Sequence, residues 1–327
     1  MSLAIDEAFS NEEADYSADD SVASPAELAV PPECAGLRLD QALAQIFPSH
    51  SRNRLQSWIK AGLVLLDDRL TDPKHKVWGG ERLKVAALPA SQATRDAPED
   101  IPLDVVFEDA AILVINKPVG LVVHPGNGVA GGTLLNALLF HYPDLQHIPR
   151  AGIVHRLDKD TSGLMVVART LEAQTDLVRQ LQARTVKRVY LAVVLGQPPE
   201  CGVVDAPIGR HPVHRTRMAV VESGREARTR FQALERYPGA ALVECRLETG
   251  RTHQIRVHLS HLGHPLVGDM TYRRKRSGNT LLDAFPRQAL HARQLGLLHP
   301  LSREPLAWDA AVPPDMADLL AGLRALK

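Results

Sequence analysis

Five ionisable side chains, His155, Arg156, Asp158, Lys159 and Asp160, fall within six positions directly before Thr161-Ser162-Gly163 and the apolar run Leu164 to Ala168. The apolar run reads as a buried strand and the Thr-Ser-Gly as the turn feeding it, so the charged residues form a short loop on a rigid element. Carboxylates and cations packed this closely can serve nucleophilic or proton-transfer chemistry. They can equally be a solvated loop, which is the commoner fate of such a cluster. Two further stretches carry reactive types. Lys187-Arg188-Val189-Tyr190-Leu191-Ala192 sets a phenol in an apolar run, where it could simply pack in the core, and Glu248-Thr249-Gly250-Arg251-Thr252-His253-Gln254-Ile255-Arg256-Val257-His258 concentrates arginine and histidine.

Positioning these residues requires a scaffold. Strands are expected at Val105 to Phe107, Ala111 to Asn116, Leu164 to Ala168, Val189 to Leu195, Ala241 to Leu247 and Gln254 to His258, and helices near Thr133 to Phe140, Leu171 to Gln182 and Asp315 to Ala325. Leu171, Leu177, Val178 and Leu181 should share the sheet-facing side of the middle helix. Strands mixed with helices but lacking a regular βαβ alternation argue for an α+β fold. Pro125-Gly126-Asn127-Gly128 with Gly131-Gly132-Thr133 lacks the Lys-Ser/Thr ending of a phosphate-cradling loop and reads as a loop near a substrate. The histidines His253, His258, His261 and His264 do not follow a zinc-ligand spacing and have no cysteine nearby, so no metal is expected. His258 could touch a phosphate or sit satisfied in the core.

The 327 residues allow about two domains, and 45% hydrophobic with 23% charged content is that of a folded chain. Cys34, Cys201 and Cys245 form no Cys-x-x-Cys pair, which fits a reducing compartment. No apolar run nears the roughly 20 residues of a spanning helix, and the N-terminus is acidic, so a cytoplasmic protein with no membrane partner is expected. The net charge of zero conceals segregation: residues 1–33 hold nine acids and no Lys or Arg, leaving +9 on the remainder. A basic body suits an anionic partner, and residues 1–36 read as a disordered acidic tail.

Residues 37–86 read as a separate module. Leu39, Leu43 and Ile46 define one helical face, Pro48 ends it, and Ser51 opens a second helix with Leu55, Trp58 and Ile59; strands follow at Leu63 to Leu66 and Glu81 to Val85. Two helices, then short strands, with Arg38, Arg52, Arg54 and Lys60 available for phosphate, resemble the S4 RNA-binding domain. Residues 87–100 read as a linker and 101–327 as the larger domain, which carries the charged loop. Arg273-Arg274-Lys275-Arg276 could grip phosphate or be a solvated loop.

His155-Arg156-Leu157-Asp158, two residues, then Thr161-Ser162-Gly163 resembles the signature loop of the pseudouridine synthases of the ribosomal large-subunit type. The other two stretches match that family in the same order, and the resemblance runs from about Leu37 to the C-terminus. It implies a pseudouridine synthase fold, with a large mixed, mainly antiparallel sheet, flanking helices and a cleft across its middle. It also implies isomerisation of uridine in 23S ribosomal RNA or the assembling large subunit, at the helix 69 stem-loop, by a monomer.

That reaction breaks an N-glycosidic bond, turns the base and rejoins it through C5 to C1′, without a cofactor. It needs a carboxylate held ionised against burial by a fixed cation. By resemblance Asp158 is the carboxylate and Arg256, in a Gln-Ile-Arg strand, the cation, whose planar fork can hold it in one orientation. Tyr190 stacks on the base and helps remove the C5 proton, Arg156 fills the space left by the flipped nucleotide, and Ile255 or Leu266 supplies an apolar wall. A salt bridge from Arg156 to Asp160 is the structural alternative. Three other functions stay open: the same reaction at another ribosomal or transfer RNA site, a non-catalytic RNA-binding assembly factor, and a metal-dependent RNA hydrolase.

Overall fold

The computed structural model describes residues 26–47, 52–86, 97–125, 129, 131–214, 217–272 and 277–326. The chain divides into two compact units, 1–93 and 94–327.

In the smaller unit the elements are β1 (Ala26–Ala29), α1 (Leu39–Ile46), α2 (Arg52–Lys60), β2 (Val64–Leu66), β3 (Arg69–Leu70) and β4 (Arg82–Val85). The strands are antiparallel in the order β1-β4-β2-β3. Leu39 and Leu43 of α1 pack with Leu55, Trp58 and Ile59 of α2 over Val64, Leu83 and Val85. The spacing of those apolar residues along each helix is what turns one face of each toward the sheet. The ordered part starts earlier than the sequence suggests. Ala26–Ala29 pairs along β4, and Val30 and Cys34, each 1% exposed, belong to the core, so residues 26–36 are not tail. Acid-rich composition hides this short strand, whose backbone covers an otherwise open edge of β4. Residues 1–25, the rest of the expected acidic tail, lie outside the described residues.

In the larger unit the chain runs β5 (Val105–Glu108), β6 (Ile112–Lys117), α3 (Leu134–His141), β7 (Ser162–Ala168), α4 (Leu171–Gln182), β8 (Lys187–Leu195), β9 (Cys201–Asp205), β10 (Ile208–Arg210), β11 (Met218–Val220), β12 (Arg228–Tyr237), β13 (Ala240–Leu247), α5 (Gln254–His261), α6 (Thr280–Ala284), β14 (Leu290–Leu298), β15 (Pro305–Asp309) and α7 (Pro314–Arg324). Among the described residues nine strands make one sheet ordered β5-β6-β7-β14-β8-β13-β12-β9, with β15 also on β14, and β10-β11 form a separate pair. All pairings are antiparallel except β14 with β7, where His291 lies opposite Ser162.

Side-chain alternation divides the core between the two faces of this sheet. Leu113, Met165, Tyr190 and Ala192 meet Leu134 and Leu138 of α3 and Ile255 and Leu259 of α5. On the other face Val114 and Val166 meet Ala173 and Leu177 of α4, while Leu191 and Val193 meet Met316, Leu319 and Leu323 of α7. Every residue of β7 is buried, as its unbroken apolar run suggests for a strand covered on both sides.

Three sequence expectations need correction. Gln254 to His258 is the start of helix α5, not a strand. Gln254 through Leu259 are all buried, so no polar face marks the helical period, and His253 in the left-handed region (φ 57°) turns the chain into the helix. In α4 the buried side is Ala173, Leu177 and Gln180, whereas Leu171 is 57% exposed and Val178 also faces solvent. Gln180 is buried because its amide donates to the Leu298 carbonyl and accepts from Leu298 N–H. The expected linker 87–100 is also too long at its far end: the Ala97 carbonyl accepts from Asn136 Nδ2, and the Glu99 carboxylate accepts from Gly132 N–H, tying 97–99 to the start of α3. Residues 87–96 lie outside the described residues.

Candidate active site

The charged loop is held from three directions. Lys117, at the end of β6 and 1% exposed, donates through Nζ to the carbonyls of Pro118, Leu121 and Lys159 at 2.7, 2.8 and 3.0 Å. Three acceptors match the three donors of an ammonium. Burial pushes the Lys117 pKa down to about 8, against the pull of Asp160 and Asp158. Arg287 donates to the Asp160 carbonyl at 3.0 Å and to both oxygens of Asp315, and Gln288 Nε2 donates to Thr161 Oγ1. At the near end His155 Nε2 accepts from Val166 N–H at 3.1 Å, a bond only an unprotonated nitrogen can make. Burial and the neighbouring Arg188 hold its pKa at about 3, so His155 is a neutral structural residue. At the far end Gly163, at φ +112°, brings the chain against β14 so closely that a Cβ there would lie 2.2 Å from the Ala292 carbonyl oxygen.

Asp158 emerges from this clamp with its side chain 19% exposed. Its Oδ2 accepts from Arg256 NH1 at 2.9 Å. Arg256 also donates from Nε and NH2 to Asp269 at 2.7 and 2.9 Å, and Asp269 is 1% exposed. One guanidinium thus bridges a buried carboxylate and a cleft-facing one. The bidentate Asp269 contact fixes the plane of the fork, so the third nitrogen, NH1, is aimed at Asp158. Despite burial, the two carboxylates raise the Arg256 pKa above its ordinary value. Asp269 is itself set by Gly268, at φ +73°, where a Cβ would collide with the Arg287 carbonyl, and it accepts from the N–H groups of Thr271 and Tyr272. The ring of Tyr272 lies 5.1 Å from the Arg256 guanidinium carbon.

These groups open on a cleft of about 370 Å³ lined by Arg156, Asp158, His253, Arg256, Arg287 and, as apolar wall, Val122, Val123, Met270 and Pro286. Such a volume suits one nucleotide base with part of its sugar. Tyr190 is buried on the α5 side of β8, packed with Ile255, Leu259 and Leu266. Burial raises the pKa of its phenol, with Arg188 acting against and Asp158 adding to that rise.

The structure thus joins Asp158, Arg256 and Arg156 at one cleft, while Tyr190 is a buried core residue of β8 and is not among those that line it. Arg156 is exposed and, among the described residues, makes no ion pair with Asp160. Ile255 and Leu266 are not the cleft wall: both point into the core, because the helical turn of α5 directs Ile255 toward the sheet and Leu266 bridges to Val194 of β8. His258 is fully buried and satisfied, its ring nitrogens bonded to Thr229 Oγ1 and the Ala206 carbonyl at 2.9 Å each. In the smaller unit Arg38 is paired with buried Asp40 at 3.1 Å, so it is not an open phosphate donor, whereas Lys60 is exposed. The side chains of Arg52 and Arg54, and residues 273–276, lie outside the described ones. Sequence reasoning passed over Asp269, Lys117 and Arg287. A Gly-Asp pair in a turn and a lysine ending an apolar strand were the available signals.

Residues 111–261 match the family described as RNA pseudouridylate synthase and residues 37–83 the S4 domain. A ribosomal large subunit pseudouridine synthase D of Nitrosomonas europaea is 58% identical over 303 residues, covering 92% of this chain and 88% of that protein. The chain belongs to the RNA pseudouridylate synthases. A second relative of the same name, from Xanthomonas campestris, is 52% identical over 318 residues, covering 95% of this chain and 96% of its own. Among solved structures, human RNA pseudouridylate synthase domain containing 4 aligns with a TM-score of 0.54 at 29% identity, over 68% of this chain and 93% of that one. Membership makes the chain an RNA isomerase with an α+β pseudouridine synthase fold and an S4 domain.

Proposed function

We propose that this protein converts uridine to pseudouridine in 23S ribosomal RNA, at the helix 69 stem-loop, with Asp158 as the carboxylate that acts on the sugar. The observation that carries the reading is the Asp158–Arg256–Asp269 chain. Arg256 fixes one oxygen of Asp158 beside an apolar wall and leaves the second oxygen without a hydrogen-bond donor among the described residues. The relatives are named as synthases for the large ribosomal subunit, which supports ribosomal RNA as the substrate.

In this mechanism the target nucleotide leaves the RNA stack and its uracil rests between Met270 and the Val122-Val123 wall. Arg156, exposed at the rim, enters the vacated space and offsets part of the unstacking cost of a few kcal/mol. Asp158 attacks at the sugar or manages its protons while the N-glycosidic bond breaks, and the base turns and rejoins through C5. Tyr190 assists removal of the C5 proton by passing its own phenol proton to the released Asp158 carboxylate as it accepts the one from C5. No step needs a redox partner or group donor. Exposed Lys60 and the rest of the small unit's basic surface bind flanking phosphates. Action on ribosomal RNA supports a cytoplasmic location.

The test is mapping of pseudouridine in large-subunit RNA incubated with the protein and with Asp158→Ala, in buffer containing chelator. New pseudouridine in helix 69 with the parent alone is the expected result. Modification elsewhere overturns the helix 69 assignment. Activity retained by Asp158→Ala overturns the role of that carboxylate, and loss of parental activity in chelator returns the metal-dependent reading.

A further inference from the structure

The free oxygen of Asp158 faces His253, whose other ring nitrogen is bonded to Tyr272. His253 Nε2 lies 3.8 Å from Asp158 Oδ1. Among the described residues no donor reaches that oxygen at hydrogen-bond distance. On its other side His253 Nδ1 is 2.7 Å from the Tyr272 hydroxyl, which accepts from Met218 N–H at 3.0 Å. A phenol has one proton to give. With Met218 N–H already directed at the Tyr272 oxygen, the arrangement that uses every donor sends the phenol proton to His253 Nδ1 and leaves the ring hydrogen on Nε2, toward Asp158. Burial keeps the imidazole below its ordinary pKa, which agrees with the neutral form. The ring is further held edge-on to Tyr272, and its backbone sits at φ 57°, ψ 22°. A left-handed histidine is strained, and such strain persists where the surroundings fix it at a working site.

A gap of 3.8 Å is too long for a direct bond. A single oxygen about 2.8 Å from both atoms would bridge it at an angle of about 85°, and small shifts of either side chain open that angle. An occupant that accepts from Nε2–H and donates to Oδ1 through one atom is a hydroxyl or a water, and not a carbonyl or unprotonated phosphate oxygen. If Asp158 works at C1′ of the target nucleotide, the hydroxyl in reach is the one on the adjacent carbon. We propose that His253 reads the 2′-hydroxyl of the target nucleotide, and so makes the site specific for a ribonucleotide at that position. The assignment rests on the role given to Asp158 under Proposed function.

The experiment compares Kd for a stem-loop RNA containing the mapped target uridine with Kd for the same RNA carrying one 2′-deoxyuridine there. The product keeps the hydroxyl, so turnover during the titration does not erase the comparison. Full-length parent should bind the all-ribose RNA about tenfold more tightly, the usual scale for one well-placed hydrogen bond. His253→Ala should bind both RNAs equally. His253→Asn tolerates the left-handed backbone, guards against a variant that fails to fold, and should also lose the difference because its amide is too short to span the gap. Tyr272→Phe, which removes the lock on the tautomer, should narrow it. A parent that binds both RNAs alike, or a difference that survives in His253→Ala, overturns the assignment. If the parent forms pseudouridine normally while either result holds, only the role of His253 falls. If it forms none in ribosomal RNA, the reading beneath it falls as well.

Discussion

At the scale of single residues, the site is a charge chain in which the least accessible members control the accessible one. Asp269 is almost fully buried, yet it fixes the guanidinium that fixes Asp158. Lys117 plays the corresponding part for the backbone of the loop, and its titration gives a prediction with two opposite signs. Its pKa in the folded protein is about 8 against an ordinary 10.5. Between those values the unfolded chain binds more protons than the folded one, so Lys117's contribution makes the fold more stable as pH rises through that window. Activity should move the other way. A neutral amine keeps only two donors for three carbonyls, the Lys159 carbonyl can lose its anchor, and turnover should fall with a midpoint near 8. A pH–rate profile from about 6.5 to about 9.5 measured for parent and Lys117→Met checks this. The variant should be slow and lack the limb, and an unchanged limb would assign it to another group. The Asp158 and Arg256 pairing was legible in the sequence because both lie in motifs that resemble one family. Asp269 and Lys117 were not, since a buried partner 13 residues beyond Arg256, or 41 before Asp158, leaves no local pattern.

At the scale of elements, what the sequence disclosed depended on whether burial was one-sided. Strands β6, β7 and β8 were visible as apolar runs, and α3 and α7 as helical patterns. Helix α5 was misread because it is buried almost all round, and β14 was missed because His291, Arg293 and Gln294 interrupt its apolar residues. Yet β14 is the strand that joins the two halves of the sheet, pairing with β7 on one side and β8 on the other. The junction is tightest where Gly163 meets Ala292, beside the bond between Ser162 Oγ and His291 Nδ1 at 2.9 Å. Gly163→Ala would place a methyl group 2.2 Å from a backbone oxygen that neither strand can move without opening the ladder. The cost should be at least about 3 kcal/mol, with activity lost as the loop is displaced. Gly263, at φ +85°, has open space around it, so Gly263→Ala should cost only about 1 kcal/mol for its backbone conformation. Urea denaturation of the two variants separates these cases. Equal, small losses would mean that the β7–β14 contact yields more easily than its geometry implies.

At the scale of the whole molecule, the segregated charge and the position of β1 together decide where the acidic segment can be cut. Residues 2–25 hold seven of the nine N-terminal acids and no basic residue. Residues 26–33 include β1, which lines the edge of β4, and Val30, which is fully enclosed in the small unit's core. Deleting 2–25 should therefore leave thermal stability unchanged and leave the remainder at net +7. Affinity for RNA should rise at low salt, and the gain over the parent should shrink as salt increases, because binding that displaces counterions weakens linearly with the logarithm of salt concentration. Deleting 2–33 removes the same seven acids and two more, so by charge alone it should bind at least as well. It also strips one strand of a four-stranded sheet and exposes a core worth about 2 kcal/mol at Val30 alone. The longer deletion should therefore bind RNA less well than the shorter one and show early loss of structure on heating. If both truncations bind equally and melt with the parent, β1 is dispensable to the small unit. If the shorter one binds no better at low salt, the acidic segment does not compete with RNA for the basic surface.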